Sequence, residues 1–246
     1  MKRIAPLFLL ALAAAPAALP AQQVPERFEN LKVLPANIHR DTLVQIMRAF
    51  AQGLGVRCTY CHVERPGQEQ LDFASDDKVT KEQARFMMRM TRDVNARVSE
   101  LPDRNNPPVR VFCVTCHRGS PLPKTIDVVL AEAIDSAGVQ GAVQRYRQLR
   151  EETMERGRYD FGEGPVNDLA RRLAAQGKTA EAAALLEMNA ELHPTSAAID
   201  LQLGDVYRAR GDRDRAIARY RAALEKQPNN QMARRRLDEL TGQARP

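Results

Sequence analysis

The chain has no tryptophan, and phenylalanine and tyrosine bring its aromatic content to only 5% of 246 residues. A core with so few rings rests either on helices packed through Leu, Ala and Met or on a large apolar body borrowed from a bound group. Cysteine is equally sparse. There are four, and the earliest is Cys58. None lies near the N-terminus, which excludes a lipid anchor on a processed N-terminal thiol. Neither sign of charge dominates, with 37 basic against 31 acidic residues and a net of +6. No zinc finger, basic stripe or aromatic platform accompanies that mild excess, so nucleic acid is not an expected partner. Long apolar runs are missing too, except at the very start. There Lys2 and Arg3 precede an uncharged apolar stretch over 4–18, and Ala21 offers a small residue before Gln22. A spanning helix needs about 20 apolar residues. This stretch is shorter and is broken by Pro16, so residues 1–21 read as a cleaved export signal, with an uncleaved anchor as the alternative.

Four cysteines in an exported chain first suggest two disulfides. Their spacing suggests otherwise. The chain reads Cys58-Thr59-Tyr60-Cys61-His62 and, later, Cys113-Val114-Thr115-Cys116-His117. C-x-x-C followed at once by His is the attachment pattern of haem c. Two thiols three residues apart add to the two vinyl groups on one haem edge, and the adjacent His is held under the iron. Zinc is the main rival. Two cysteines and a histidine within five residues do not easily close a tetrahedron around one ion, and pooling all four thiolates leaves both histidines unexplained. A thioredoxin-like redox pair lacks the βαβ pattern around it. The expected cofactor is therefore haem c, twice. Cys58, Cys61, Cys113 and Cys116 supply the thioethers, and His62 and His117 ligate the irons. Losing the signal leaves a net +4, which four haem propionates bring near zero.

A haem iron that only transfers electrons needs a sixth ligand, usually Met or His. Upstream of the first motif, Arg40-Asp41-Thr42 reads as a helix start with Asp41 as N-cap. Leu43, Ile46, Met47, Phe50 and Leu54 follow on one face, and Gly53 and Gly55 end the helix. Met47 is thus either a ligand folded back by the glycine turn or ordinary core filler. Before the second motif, Thr80-Lys81-Glu82-Gln83 reads as a capping box. The helix it opens runs to about Ser99 with Ala84, Met87, Met88, Thr91, Val94 and Val98 on its apolar face. Periodicity does not choose among Met87, Met88 and Met90. The polar, Pro-rich segment 103–108 reads as a surface loop. His39 and His193 are the remaining histidines and read as exposed or structural.

The segments 43–62, 84–92 and 113–123 together resemble haem units of the photosynthetic reaction-centre cytochrome c subunit family. The resemblance covers roughly residues 30–123. It implies that each haem lies along a helix supplying a Met, which makes Met47 the sixth ligand of the first iron and Met87 that of the second. Members of that family typically carry four haems, and this chain has two motifs. The resemblance implies electron transfer more than it implies photosynthesis.

From Asp127 the sequence is charged and helical, with a 34-residue repeat: Gly177 matches Gly211, Ala182 matches Ala216 and Pro194 matches Pro228. Gly204, Tyr207, Gly211, Ala216, Tyr220, Ala223 and Pro228 fall at tetratricopeptide positions, and residues 232–240 suit a capping helix. Residues 127–156 read as a helical hairpin that packs on the first repeat, because such stacks need about three repeats. Segment 159–162 reads as an irregular linker. Arg208, Arg210, Arg213, Arg215, Arg219 and Arg221 make the repeats basic, suiting an acidic partner or simply a solvated face.

The expected fold is all-α: a small dihaem c-type cytochrome domain followed by a tetratricopeptide solenoid. The expected divisions are a signal over 1–21, a dihaem domain over 22–123, a hairpin and linker over 124–162, and repeats with a capping helix over 163–243. The expected function is periplasmic electron transfer, not enzymatic catalysis, between redox donor and acceptor proteins at the membrane. A protein partner for the repeats is a further expectation. The alternatives are a peroxidase-like haem enzyme with one open iron, and an interaction scaffold that senses redox state.

Overall fold

The computed structural model describes residues 27–102 and 109–242. The expected signal and the Pro-rich segment 103–108 lie outside them. Among the described residues the only β feature is an isolated antiparallel bridge between Val63 and Asp72. The chain is otherwise helical: α1 Arg40–Leu54, α2 Val79–Val98, the single turn α3 Cys113–His117, α4 Ile126–Thr153, α5 Glu163–Ala175, α6 Thr179–Leu192, α7 Ala197–Ala209, α8 Arg213–Lys226 and α9 Gln231–Thr241. No described helix is long and apolar enough to cross a membrane. The chain divides into two compact units. Among the described residues the first holds 27–51, 57–102 and 109–111; the second holds 52–56 and 112–242.

The first unit contains most of α1, all of α2 and the loops around them. Both helices have the apolar periodicity that a helix face needs, yet only Leu43 and Leu71 are buried hydrophobics among the described residues of this unit. Phe86, Met90 and Val94, spaced by four along α2, remain exposed at 62%, 41% and 37%. Polar contacts do much of the holding. Lys81 Nζ donates to the carbonyls of Phe73, Ala74 and Ser75 at 2.9, 2.9 and 2.6 Å. The buried Arg85 guanidinium reaches Asp76 at 2.8 Å, Glu82 at 2.9 Å and the Asn30 carbonyl at 3.0 Å. Loop 72–78 is thereby fastened to the first two turns of α2.

Two helix starts differ from expectation. Asp41 is not the N-cap of α1: the helix begins at Arg40, and the backbone N–H of Asp41 donates to His39 Nδ1 at 3.3 Å. Nor does Thr80 cap α2, which begins at Val79. Its hydroxyl donates instead to the Tyr60 carbonyl at 2.6 Å. With the helix already begun at Val79, Thr80 is past the N-cap position, and its hydroxyl turns to an acceptor brought in by the chain fold.

The second unit has a continuous apolar core including Leu130, Tyr146, Val166, Leu186, Leu203 and Tyr220. α4 is two helical segments meeting at Gly138, whose φ of 71° breaks the helix; both segments feed the core. The linker after it is ordered. Phe161 is buried, its ring edge-on to Tyr146 at 5.5 Å, and Tyr146 OH donates to the Phe161 carbonyl at 3.3 Å. The paired helices α5–α6 and α7–α8 form the two repeats and α9 closes the stack. Gly204 shows why the repeat needs a small residue: a Cβ there would sit 2.4 Å from the Tyr220 ring. Arg208, Arg213, Arg215 and Arg219 bond within the repeats, to Glu239, the Leu240 carbonyl, Asp212 and the buried Asp200. Much of the basic charge therefore serves to hold α7–α9 together.

Candidate haem attachment sites

The first motif is a 3-10 turn, Cys58–Tyr60, entered through an extended Arg57. The backbone N–H groups of Cys61 and His62 both donate to the Cys58 carbonyl, at 3.2 and 3.0 Å. This turn puts two thiols and an imidazole on one short stretch. α2 clamps it from outside. Lys78 Nζ donates to the Thr59 carbonyl, Thr80 to the Tyr60 carbonyl, and the Cys61 thiol lies 3.9 Å from the Thr80 carbonyl. His62 packs edge-on to Phe73, centroids 4.9 Å apart. Burial, reinforced by the nearby Lys81 charge, pushes the His62 pKa down, favouring the neutral imidazole that a metal requires. Its buried Nδ1 has no hydrogen-bond partner.

The second motif is one helical turn, α3, ended by Arg118 with a left-handed φ of 47°. Thr115 Oγ1 accepts the Phe112 N–H at 3.0 Å, capping the turn from inside the motif. His117 is 8% exposed, and its Nδ1 lies 2.8 Å from the Ser120 carbonyl. A carbonyl oxygen only accepts, so Nδ1 carries the proton. In the neutral ring Nε2 is then the nitrogen with a free lone pair. That is the arrangement of a proximal ligand held by an outer hydrogen bond.

The end of α1 is built into the second motif. The Gly119 N–H donates to the Gly53 carbonyl at 2.9 Å. A Cβ on Gly53 would meet the Val114 nitrogen at 3.1 Å, and one on Gly55 would meet the Gly119 oxygen at 2.3 Å. Gly55 has φ +67° and takes the left-handed position after the helix. The two glycines thus do more than stop α1, because they let its backbone touch the backbone of the second motif.

Asn95 was not a candidate from sequence. Its side chain pairs with both backbone groups of Val111, at 2.8 and 2.8 Å, fastening the last turns of α2 to the strand of chain that leads to Cys113. Ser120 was missed for the same reason, since it acts through a backbone carbonyl that any residue carries.

All four cysteines are free thiols; Cys58 and Cys116 are exposed, and Cys61 and Cys113 half-buried. Burial pushes the Cys61 and Cys113 thiols up. Among the described residues no three His, Cys, Asp or Glu side chains converge as a metal cluster. Met47, Met87 and Met88 are half-buried, and Met90 is 41% exposed. The His39 side chain is 76% exposed, and His193 lies at the end of α6 in the repeats. Haem fits this donor set. It is a large apolar body, and Phe86, Met90 and Val94 present an exposed apolar row along α2.

The model of the photosynthetic reaction centre cytochrome C subunit family matches residues 9–155, and a tetratricopeptide repeat model matches residues 173–238. The photosynthetic reaction center cytochrome c subunit of Rubrivivax gelatinosus is 33% identical over 101 residues, covering 40% of this chain and 24% of that protein. Its counterpart in Thermochromatium tepidum is 35% identical over 108 residues, covering 42% and 23%. Cytochrome c-554 of Chloroflexus aurantiacus is 35% identical over 101 residues, covering 41% and 22%. The chain spans about a quarter of the length of the curated relatives it matches.

Proposed function

The chain belongs to the photosynthetic reaction-centre cytochrome c subunit family, and on that footing we propose that it is an exported electron carrier holding two covalent haems c. Cys58 and Cys61 would attach one and Cys113 and Cys116 the other; His62 with Met47, and His117 with Met87, would hold the irons. When bound, each haem supplies a one-electron iron couple, which Met/His ligation sets at a raised potential. The chain's own part is to fix the ligands and exclude water. α2 holds the first motif through Lys78 and Thr80, and α1 holds the second through Gly53 and Gly55.

The observation that carries this reading is the His117–Ser120 hydrogen bond of 2.8 Å. It presets the tautomer an iron ligand needs, in a residue that directly follows a thiol pair. The chain works in the periplasm between membrane-associated donor and acceptor proteins, and its repeats bind a protein partner. Residues 1–21 supply the export signal.

The test is the full chain made in a bacterium that matures c-type cytochromes, read by intact mass and pyridine haemochrome. The expected result is two haems per chain, the loss of residues 1–21 and low-spin oxidised spectra. A haem-free chain, or high-spin five-coordinate iron at both sites, overturns it.

A further inference from the structure

Arg158 lies in the connection between α4 and α5, outside both C-x-x-C-H motifs. Its guanidinium donates to the Gly119 carbonyl, two residues past His117. Gly119 makes room for it: a Cβ there would meet Arg158 Nη2 at 3.3 Å. Arg158 Nε is buried and has no hydrogen-bond partner. Buried donors of this kind are rare and call for an explanation. Asp160, the nearest acid in the chain, is turned to the Gly162 N–H at 2.8 Å. A half-buried cation therefore stands on the loop that carries Ser120, whose carbonyl holds His117.

We propose that Arg158 is a positioning and charge-tuning residue that raises the reduction potential of the second haem. The proposal rests on haem being held by Cys113, Cys116 and His117. Reduction adds one electron to the iron and lowers its charge by one, so a nearby fixed cation favours the reduced form. The effect is strong only where water is largely excluded. The carbonyl contact adds a steric part, holding loop 118–120 so that Ser120 stays under Nδ1.

The test uses the full holo-chain and its Arg158→Gln and Arg158→Lys variants in an optical redox titration. A Cys113→Ala/Cys116→Ala chain identifies which wave belongs to the first haem. In Arg158→Gln the second haem's reduction equilibrium is expected to fall about tenfold, which is about 59 mV for one electron, with the first haem unmoved. Arg158→Lys keeps the charge and restores most of the shift. If Arg158→Gln does not accumulate folded, Arg158→Met, which keeps the apolar stem, is read in the same way. Unmoved potentials in a variant that retains two haems overturn the role of Arg158, as does a Lys variant no better than Gln. A wild-type mass without haem on Cys113 and Cys116 overturns instead the haem reading beneath it.

Discussion

A histidine binds a metal through a nitrogen that carries no proton, so the outer hydrogen bond on the other nitrogen decides whether it is ready. At His117 that bond goes to the Ser120 carbonyl. In the proposed reading Met47 and Met87 complete the irons. Replacing Met47 or Met87 by Leu keeps the volume but removes the thioether sulfur. Each variant is expected to convert one haem of two to a five-coordinate, high-spin form that binds carbon monoxide, while Met88→Leu and Met90→Leu leave both irons closed. Carbon monoxide difference spectra count the opened sites, and an opened site in the Met88 or Met90 variant would reassign the ligand. The residues proposed to attach haem were legible in the sequence because C-x-x-C-H is a local pattern. Asn95 and Ser120 were not, because the partner of one lies 16 positions away and the other works through its backbone.

Among the elements, the end of α1 and the loop before α2 are held by backbone approach and by charge rather than by apolar side chains. Gly55→Ala places a Cβ 2.3 Å from the Gly119 oxygen and forces a left-handed φ on alanine. Backbone strain and overpacking together are expected to cost about 2–4 kcal/mol. The measurement is thermal unfolding of the holo-chain, and a change below about 0.5 kcal/mol would show that α1 does not dock there in solution. Loop 72–78 depends on charge. The Asp76 carboxyl is held well below the usual carboxylate range by hydrogen bonding from Asn30 and Lys32, helped by Arg85 and Lys81. A lowered folded-state pKa stabilises above the ordinary value near 3.8 and loses that contribution as pH falls below it. Acid is therefore expected to release the loop below about pH 4, seen as new proteolytic cleavage near residues 72–78. Asp76→Asn is cut there already at neutral pH, and its cleavage does not depend on acid. Helix periodicity announced α1 and α2 in the sequence. The acceptor for Thr80 was invisible there, because a T-x-x-Q box is read from four neighbours while Tyr60 lies 20 positions away.

Across the whole molecule the two units are stabilised in different ways. The second carries its own apolar core through α4–α9. The first has Leu43 and Leu71 as its buried hydrophobics, each contributing about 1.5–3 kcal/mol, and such a pair does not order two helices and their loops. Haem is expected to supply the rest. A chain with all four cysteines changed to Ala is expected to become protease-sensitive over 27–111 while α4–α9 stay protected; equal protection of both regions would show that the first unit folds without its cofactor. The scarcity of aromatic residues pointed to this in advance, since a chain with no tryptophan has few large side chains with which to fill a core. The sequence by itself determined the two C-x-x-C-H patterns and the repeats, because thiol spacing and a 34-residue period are properties of the chain read in order. Only the tertiary structure decided which elements hold each motif. Gly55 against Gly119, Asn95 against Val111 and Arg158 against Gly119 are contacts across 16 to 64 positions, and no pattern among near neighbours in a chain encodes a backbone approach over that distance.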